Sequence, residues 1–134
     1  MWPMAHQLIN PPSLAPTAPY AYAALAAAGQ LVFAAGACPL DSAGRTTPVG
    51  DLLGQCRQTV DNLRTALRAA GADFTDVVKT TIYVASNQRE DLSAAWSAIT
   101  TYFDPQPPST LLGVTVLGYP DQLVEIEAIA VLPA

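Results

Sequence analysis

The sequence predicts a single α+β domain in the order β-β-α-β-α-β-β, with two helices packed on one face of a mixed sheet. Three features lead to that prediction. Apolar residues recur at spacings of three and four between Asp51 and Gly71, a run dense in β-branched residues follows from Asp76 to Ala85, and the stretch Leu123 to Leu132 alternates. With 134 residues the chain suits one domain that buries roughly two-thirds of its unfolded surface, and it is too short for a tandem array. Residues 1–134 are therefore one domain, with 1–18 as an extended lead-in.

The elements follow in order. Pro11, Pro12, Pro16 and Pro19 keep the lead-in irregular. Tyr20 to Leu25 reads as a strand, Ala28-Gly29-Gln30 as a turn, and Leu31 to Ala35 as a second strand closing a hairpin. Gly36, Pro39, Gly44 and Pro48 mark a surface loop. The helix after Asp51 carries Leu52, Cys56, Val60, Leu63, Leu67 and Ala70 on one stripe, with Asp51 as its cap and Gly71 at its end. Asp76 to Ala85 is the next strand. A second helix, from about residue 90 to 103, buries Leu92, Ala95, Trp96, Ile99 and Phe103 before Pro105, Pro107 and Pro108 stop it. Thr110 to Leu117 is a strand, Gly118 to Asp121 a turn, and Leu123 to Leu132 the last strand. Helices that join strands of one sheet stack on one face and leave the other bare.

Composition narrows the function. Of the residues, 51% are hydrophobic and 13% charged, about half the charge of an ordinary soluble domain. So few ionic groups on a small domain hint at self-association. Eleven acidic against six basic side chains give a net charge of −5 and a pI near 4.4. The cations (Lys79 and five scattered arginines) form no cluster, so nucleic acid is not an expected partner. A mean hydropathy of +0.26 does not imply a membrane span, since the longest apolar run, Ala21 to Ala28, falls short of the ~20 residues needed. The first residues lack a signal-peptide layout, and a cytoplasmic location is expected. Cys38 and Cys56 are far apart, with a single histidine, His6, in the whole chain, so no metal site is expected. Cys56 falls on the helix stripe and reads as core, and His6 is given no role.

The last strand has two unlike faces. Val124, Ile126, Ala128, Ala130 and Leu132 form an apolar face suited to lie under helices. The other places Glu125 and Glu127 beside Ile129 and Val131. That mixture fits a subunit interface with a polar pocket, and equally an acidic pair on a half-wet strand.

These residues resemble the RidA/YjgF family, historically labelled endoribonuclease L-PSP. Gln30 to Gly36 with Pro39-Leu40-Asp41 and Gly44 is similar to its first signature loop, and Asp51 to Gly71, with Gln55 and Asn62-Leu63, to its first helix. Asp76 to Val84 resembles the strand that follows, and Glu125 to Ala130 the C-terminal signature. The resemblance runs from about Ile9 to Val131. It implies a chorismate-mutase-like fold, a homotrimer around a central barrel, and a small-molecule pocket between each pair of subunits. It also implies hydrolysis of imine or enamine intermediates to 2-keto acids and ammonia, without metal or organic cofactor.

Carried over residue by residue, the resemblance makes Tyr20 the pocket-closing tyrosine and Glu125 the catalytic, water-activating carboxylate. Gly36, Thr110 and Leu111, the last through its backbone carbonyl, join the substrate-binding set. The departures are chemically large. Ser109, in Pro107-Pro108-Ser109-Thr110, stands where the family has a carboxylate-binding arginine, Ala35 where it has a serine, and Trp96 where it has an asparagine. A hydroxyl offers one ordinary hydrogen bond where a guanidinium offers a charged fork. The expected function is therefore to act on or bind an imine, enamine or carbonyl metabolite, with 2-imino acids disfavoured. The alternative is a non-catalytic metabolite-binding or scaffold protein of the same fold.

Overall fold

The alternating C-terminal segment, Val124–Val131, is the strand around which the sheet is built, in a computed structural model that describes residues 5–27 and 29–133. The strands are β1 (His6–Ile9), β2 (Ala23–Ala26), β3 (Leu31–Phe33), β4 (Val77–Ala85), β5 (Ser109–Val114) and β6 (Val124–Val131). The helices are α1 (Leu52–Ala69) and α2 (Arg89–Thr100), with a short 3-10 turn at Phe74–Asp76. The main sheet has the order β3-β6-β4-β5, with β6 antiparallel to β3 and β4, and β4 parallel to β5. A parallel pair needs a crossover, and α2 supplies it. The fold is α+β, two helices against mixed strands, as the periodicities predict.

The expected hairpin does not form. Ala23–Ala26 pairs with His6–Ile9 inside the lead-in, as a separate two-stranded ribbon, while Leu31–Phe33 pairs with β6. The physical reason is on both sides of the turn. The proline-rich stretch between β1 and β2 folds back on itself, where Tyr22 Oη donates to the Ala15 carbonyl at 3.0 Å. Meanwhile β6 offers β3 an apolar, in-register partner, Leu31 opposite Val131 and Phe33 opposite Ile129. The predicted turn includes Ala28, which lies outside the described residues, as do the first four residues of the lead-in.

Other elements shift only at their ends. Asp51 caps α1 by accepting the Gly54 N–H at 2.9 Å. After α1, Gly71 adopts φ +86°, the left-handed conformation that lets the chain turn away. The helix-facing side of the sheet (Ile82, Val84, Val124, Ile126, Ala128, Ala130) packs on Cys56, Val60, Leu63 and Leu67 of α1 and on Ala95 and Ile99 of α2. Each large aliphatic buried there contributes about 1.5–3 kcal/mol. Among the described residues, no helix is long and apolar enough to cross a membrane.

The opposite face carries Lys79, Thr81 and Tyr83 of β4, Glu125, Glu127 and Ile129 of β6, and Leu31 and Phe33 of β3. Leu31 is 53% and Phe33 69% exposed, a high value for side chains on a sheet face.

One buried polar side chain ties helix to sheet. Gln55 has no exposed surface; its Nε2 donates to the carbonyls of Pro48 (2.9 Å) and Asp121 (3.0 Å), and its Oε1 accepts from Leu123 N at 2.8 Å. Gln55→Leu keeps the bulk and strands those three backbone groups. We expect it to lower unfolding free energy by about 3 kcal/mol in urea titration, because each orphaned buried group costs ~1–3 kcal/mol. An unchanged midpoint would show that the amide is dispensable.

Candidate functional site

Five of the predicted site residues meet in one cleft of about 550 Å³. It lies between the outer edge strand β5 and α2, and is lined by Pro19, Tyr20, Ser93, Trp96, Ser97, Ser109, Thr110 and Leu111. Local geometry explains the gathering. Ala21 N donates to the Gln106 carbonyl at 3.2 Å, pinning the residues before β2 to the loop that leads into β5. Tyr20 then sits edge-on to Trp96, ring centres 6.3 Å apart, and to Tyr22 at 5.5 Å. Ser93, Trp96 and Ser97 share a face of α2 by their i, i+3, i+4 spacing.

Ser109 is a prepared hydrogen-bond donor. Its row partner Thr80, 1% exposed, donates Oγ1 to Ser109 Oγ at 2.6 Å. A hydroxyl that accepts from its neighbour keeps its own proton for a third group. No charged side chain lines the cleft. Lys79 does reach Thr110, its Nζ donating to Oγ1 at 2.6 Å, but strand alternation puts both side chains on the opposite face from Ser109 and Leu111. A cleft of similar size, about 570 Å³, opens at the start of α2 around Ser86, Arg89 and Gly113, and contains none of the predicted residues.

Glu125 and Gly36 form a second cluster, apart from the first within one chain. A Cβ at residue 36 would overlap the Glu125 carboxylate, so the close approach requires glycine. Gln122 Nε2 donates to Glu125 Oε1 at 3.1 Å and Cys38 Sγ to the same atom at 3.3 Å. Burial, then the hydrogen bond to Glu125 and its charge, push the Cys38 thiol up to about 11, with Gln122 opposing. Ala35 is exposed beside this cluster and outside the cleft. Nearby on the open face, Tyr83 Oη donates to Glu127 Oε1 at 2.7 Å, and that bond raises the phenol above its ordinary value.

Sequence reasoning missed Pro19, Ser93 and Ser97 in the cleft, and Cys38 and Gln122 around Glu125. The serines had a signal, their helical spacing from Trp96; the other three had none. Among the described residues, no cluster of three or more His, Cys, Asp or Glu side chains is arranged to hold a metal ion.

Residues 12–132 match the Endoribonuclease L-PSP family profile. A RutC family protein of Pyrococcus horikoshii is 35% identical over 116 residues, which cover 86% of this chain and 88% of that protein. A protein of Escherichia coli K12 named 2-iminobutanoate/2-iminopropanoate deaminase is 33% identical over 105 residues, 77% of this chain and 80% of its own. Among solved structures, YyfB of the Rid family from Yersinia pestis superposes with a TM-score of 0.88 at 32% identity, over 96% of this chain and 100% of that one.

The contact between Cys38 and Glu125 can be checked by alkylation at pH 8. Glu125→Gln removes a negative neighbour, lowers the thiol pKa and raises the thiolate fraction, so iodoacetamide labelling of Cys38 is expected to speed up ~3-fold or more. Mass spectrometry separates it from the buried Cys56. An unchanged rate would mean that the carboxylate does not face the thiol in solution.

Proposed function

The chain belongs to the RidA/YjgF family, and on that premise we propose that it hydrolyses imines or enamines of neutral carbonyl compounds, in a pocket completed by a second copy of the chain. The observation that carries this is the uncharged wall around Ser109. A 2-imino acid brings a carboxylate that needs a counter-ion, and leaving it desolvated without one forfeits about 3–5 kcal/mol. A neutral C=N or C=O needs only a donor, and Ser109 has one free proton held in place by Thr80. Tyr20, Trp96 and Leu111 suit an apolar substituent.

The second copy is supported by two features. Leu31 and Phe33 leave an apolar strip on the open face, and Glu125 faces the same way, apart from the cleft of its own chain. In a homotrimer the carboxylate of one subunit would meet the cleft of the next. There Glu125 takes a proton from water as the water oxygen adds to the C=N carbon, then returns it to nitrogen. The tetrahedral carbinolamine then gives up its hydroxyl proton, which the same carboxylate passes to nitrogen as the C–N bond breaks, so that ammonia leaves and the carbonyl compound remains. Water and the imine are the only reactants, and no cofactor enters. The scattered cations of an acidic chain give RNA no electrostatic footing, which argues against a ribonuclease.

Two tests apply. Sedimentation should give three times the 14.0 kDa chain mass, and Phe33→Glu should release monomers; a monomeric wild type would remove the shared pocket. Ammonia release from imines generated in situ should be faster for neutral imines than for 2-iminobutanoate, and Ser109→Arg should reverse that preference. Wild-type preference for the 2-imino acid, or no turnover of any imine, would contradict the proposal.

A further inference from the structure

The Glu125 carboxylate is held asymmetrically. Gln122 is only 4% exposed, and its amide has one sensible orientation, because Tyr119 N donates to its Oε1 at 3.1 Å. Its NH2 group must then face the other way, where Nε2 donates to the Val124 carbonyl and to Glu125 Oε1, both at 3.1 Å. The Cys38 thiol has one proton and two acceptors in reach, the same Glu125 oxygen at 3.3 Å and the Gly36 carbonyl at 3.4 Å, and the charged oxygen is the stronger of the two. The thiol, with its pKa near 11, stays protonated at neutral pH and so remains a donor. Both donors end on Oε1. Among the described residues no donor reaches Oε2, which lies against Gly36 where a side chain would overlap it.

We infer that Gln122, seconded by Cys38, is a positioning residue that gives the two oxygens of Glu125 different tasks. Oε1 is the anchored atom, and Oε2 takes the proton from water and returns it. The inference rests on Glu125 as the base of the proposed hydrolysis. Its physical basis is twofold. Two hydrogen bonds draw charge from Oε1 and leave Oε2 the better proton acceptor. They also stop the side chain from sampling other rotamers, which a base must avoid to stay within reach of its water. Gly36 completes the arrangement by leaving the approach to Oε2 free of a side chain. Neither Gln122 nor Cys38 is among the residues that carry the family resemblance.

The test combines crystallography with kinetics on the full-length protein. Gln122→Glu keeps the shape and the acceptor for Tyr119 N, and turns an oxygen instead of NH2 toward Glu125. Cys38→Ala is a smaller change that removes only the thiol, and Cys38→Ser restores a donor. Wild-type crystals are expected to hold Glu125 in a single conformer. In Gln122→Glu combined with Cys38→Ala the carboxylate should turn away or spread over several conformers. On the best neutral imine, kcat should fall by about 100-fold in the double variant with KM within ~3-fold, the cost of misplacing a catalytic group by about an ångström. Cys38→Ser should recover most of what Cys38→Ala loses, which a purely structural role would not predict. A Glu125 that stays in place in the double variant overturns the inference, and so does one that moves with kcat unchanged. Absence of wild-type turnover ends the hydrolase proposal and with it the proton role of Oε2, while the crystallographic comparison still decides the anchoring.

Discussion

The side-chain amide of Gln55 joins three pieces of chain that are distant in sequence: its own helix α1, the Pro48 end of the surface loop, and the turn that enters β6. Much of the site depends on that junction. Side chains on a strand alternate with a period of two, so a slip of one residue where β6 begins would exchange its faces. Glu125 would then point into the core, and Ile126 onto the open face. The bond from Leu123 N to Gln55 Oε1 fixes the residue before β6, and Val124 opposite Val84 begins its pairing with β4. Gln122, in the same turn, is delivered to Glu125 by the same constraint. A single buried amide thus connects the packing of the first helix to the orientation of a carboxylate on the far side of the sheet.

The chemistry is divided between the two faces of that sheet. The edge formed by β5 and α2 holds an uncharged cleft with one prepared donor, whereas the open face holds Glu125, Glu127, Tyr83 and Lys79 among exposed aliphatic and aromatic side chains. Neither half suffices for hydrolysis. A cleft without a base binds, and a base without a cleft has no substrate to act on. This division is why the proposed assembly and the proposed reaction stand together. It also gives part of the low charge a location, since Leu31 and Phe33 are exposed on the open face and the cleft lacks the cation that resemblance alone would supply.

Long periodic segments were the legible part of the sequence. The stripe from Leu52 to Leu67, the β-branched run of β4 and the alternation of β6 each specify an element, because each carries enough repeats to outweigh local exceptions. Strand β1 was not legible: four residues, His6 to Ile9, contain two turns of the period and are followed by a proline pair. The hairpin expected across Ala28-Gly29-Gln30 failed for a related reason, since the true partner of β3 lies about a hundred residues later in the chain. In the site, Tyr20, Trp96, Ser109 and Leu111 follow from the family resemblance, and the fold brings them together. Cys38 and Gln122 could not. Their importance arises from tertiary distances to Glu125, and nothing in an isolated Cys-Pro or Asp-Gln pair announces it.

The central claim is that the cleft beside Ser109 prefers neutral ligands, and binding tests it without reference to turnover. Calorimetric titration with 2-oxobutanoate and with 2-butanone compares two ligands that differ chiefly in a carboxylate. The ketone is expected to bind the wild type at least as tightly as the keto acid does, and Ser109→Arg to reverse the order. Binding of the keto acid about tenfold or more tightly to the wild type, some 1.4 kcal/mol in its favour, would contradict it.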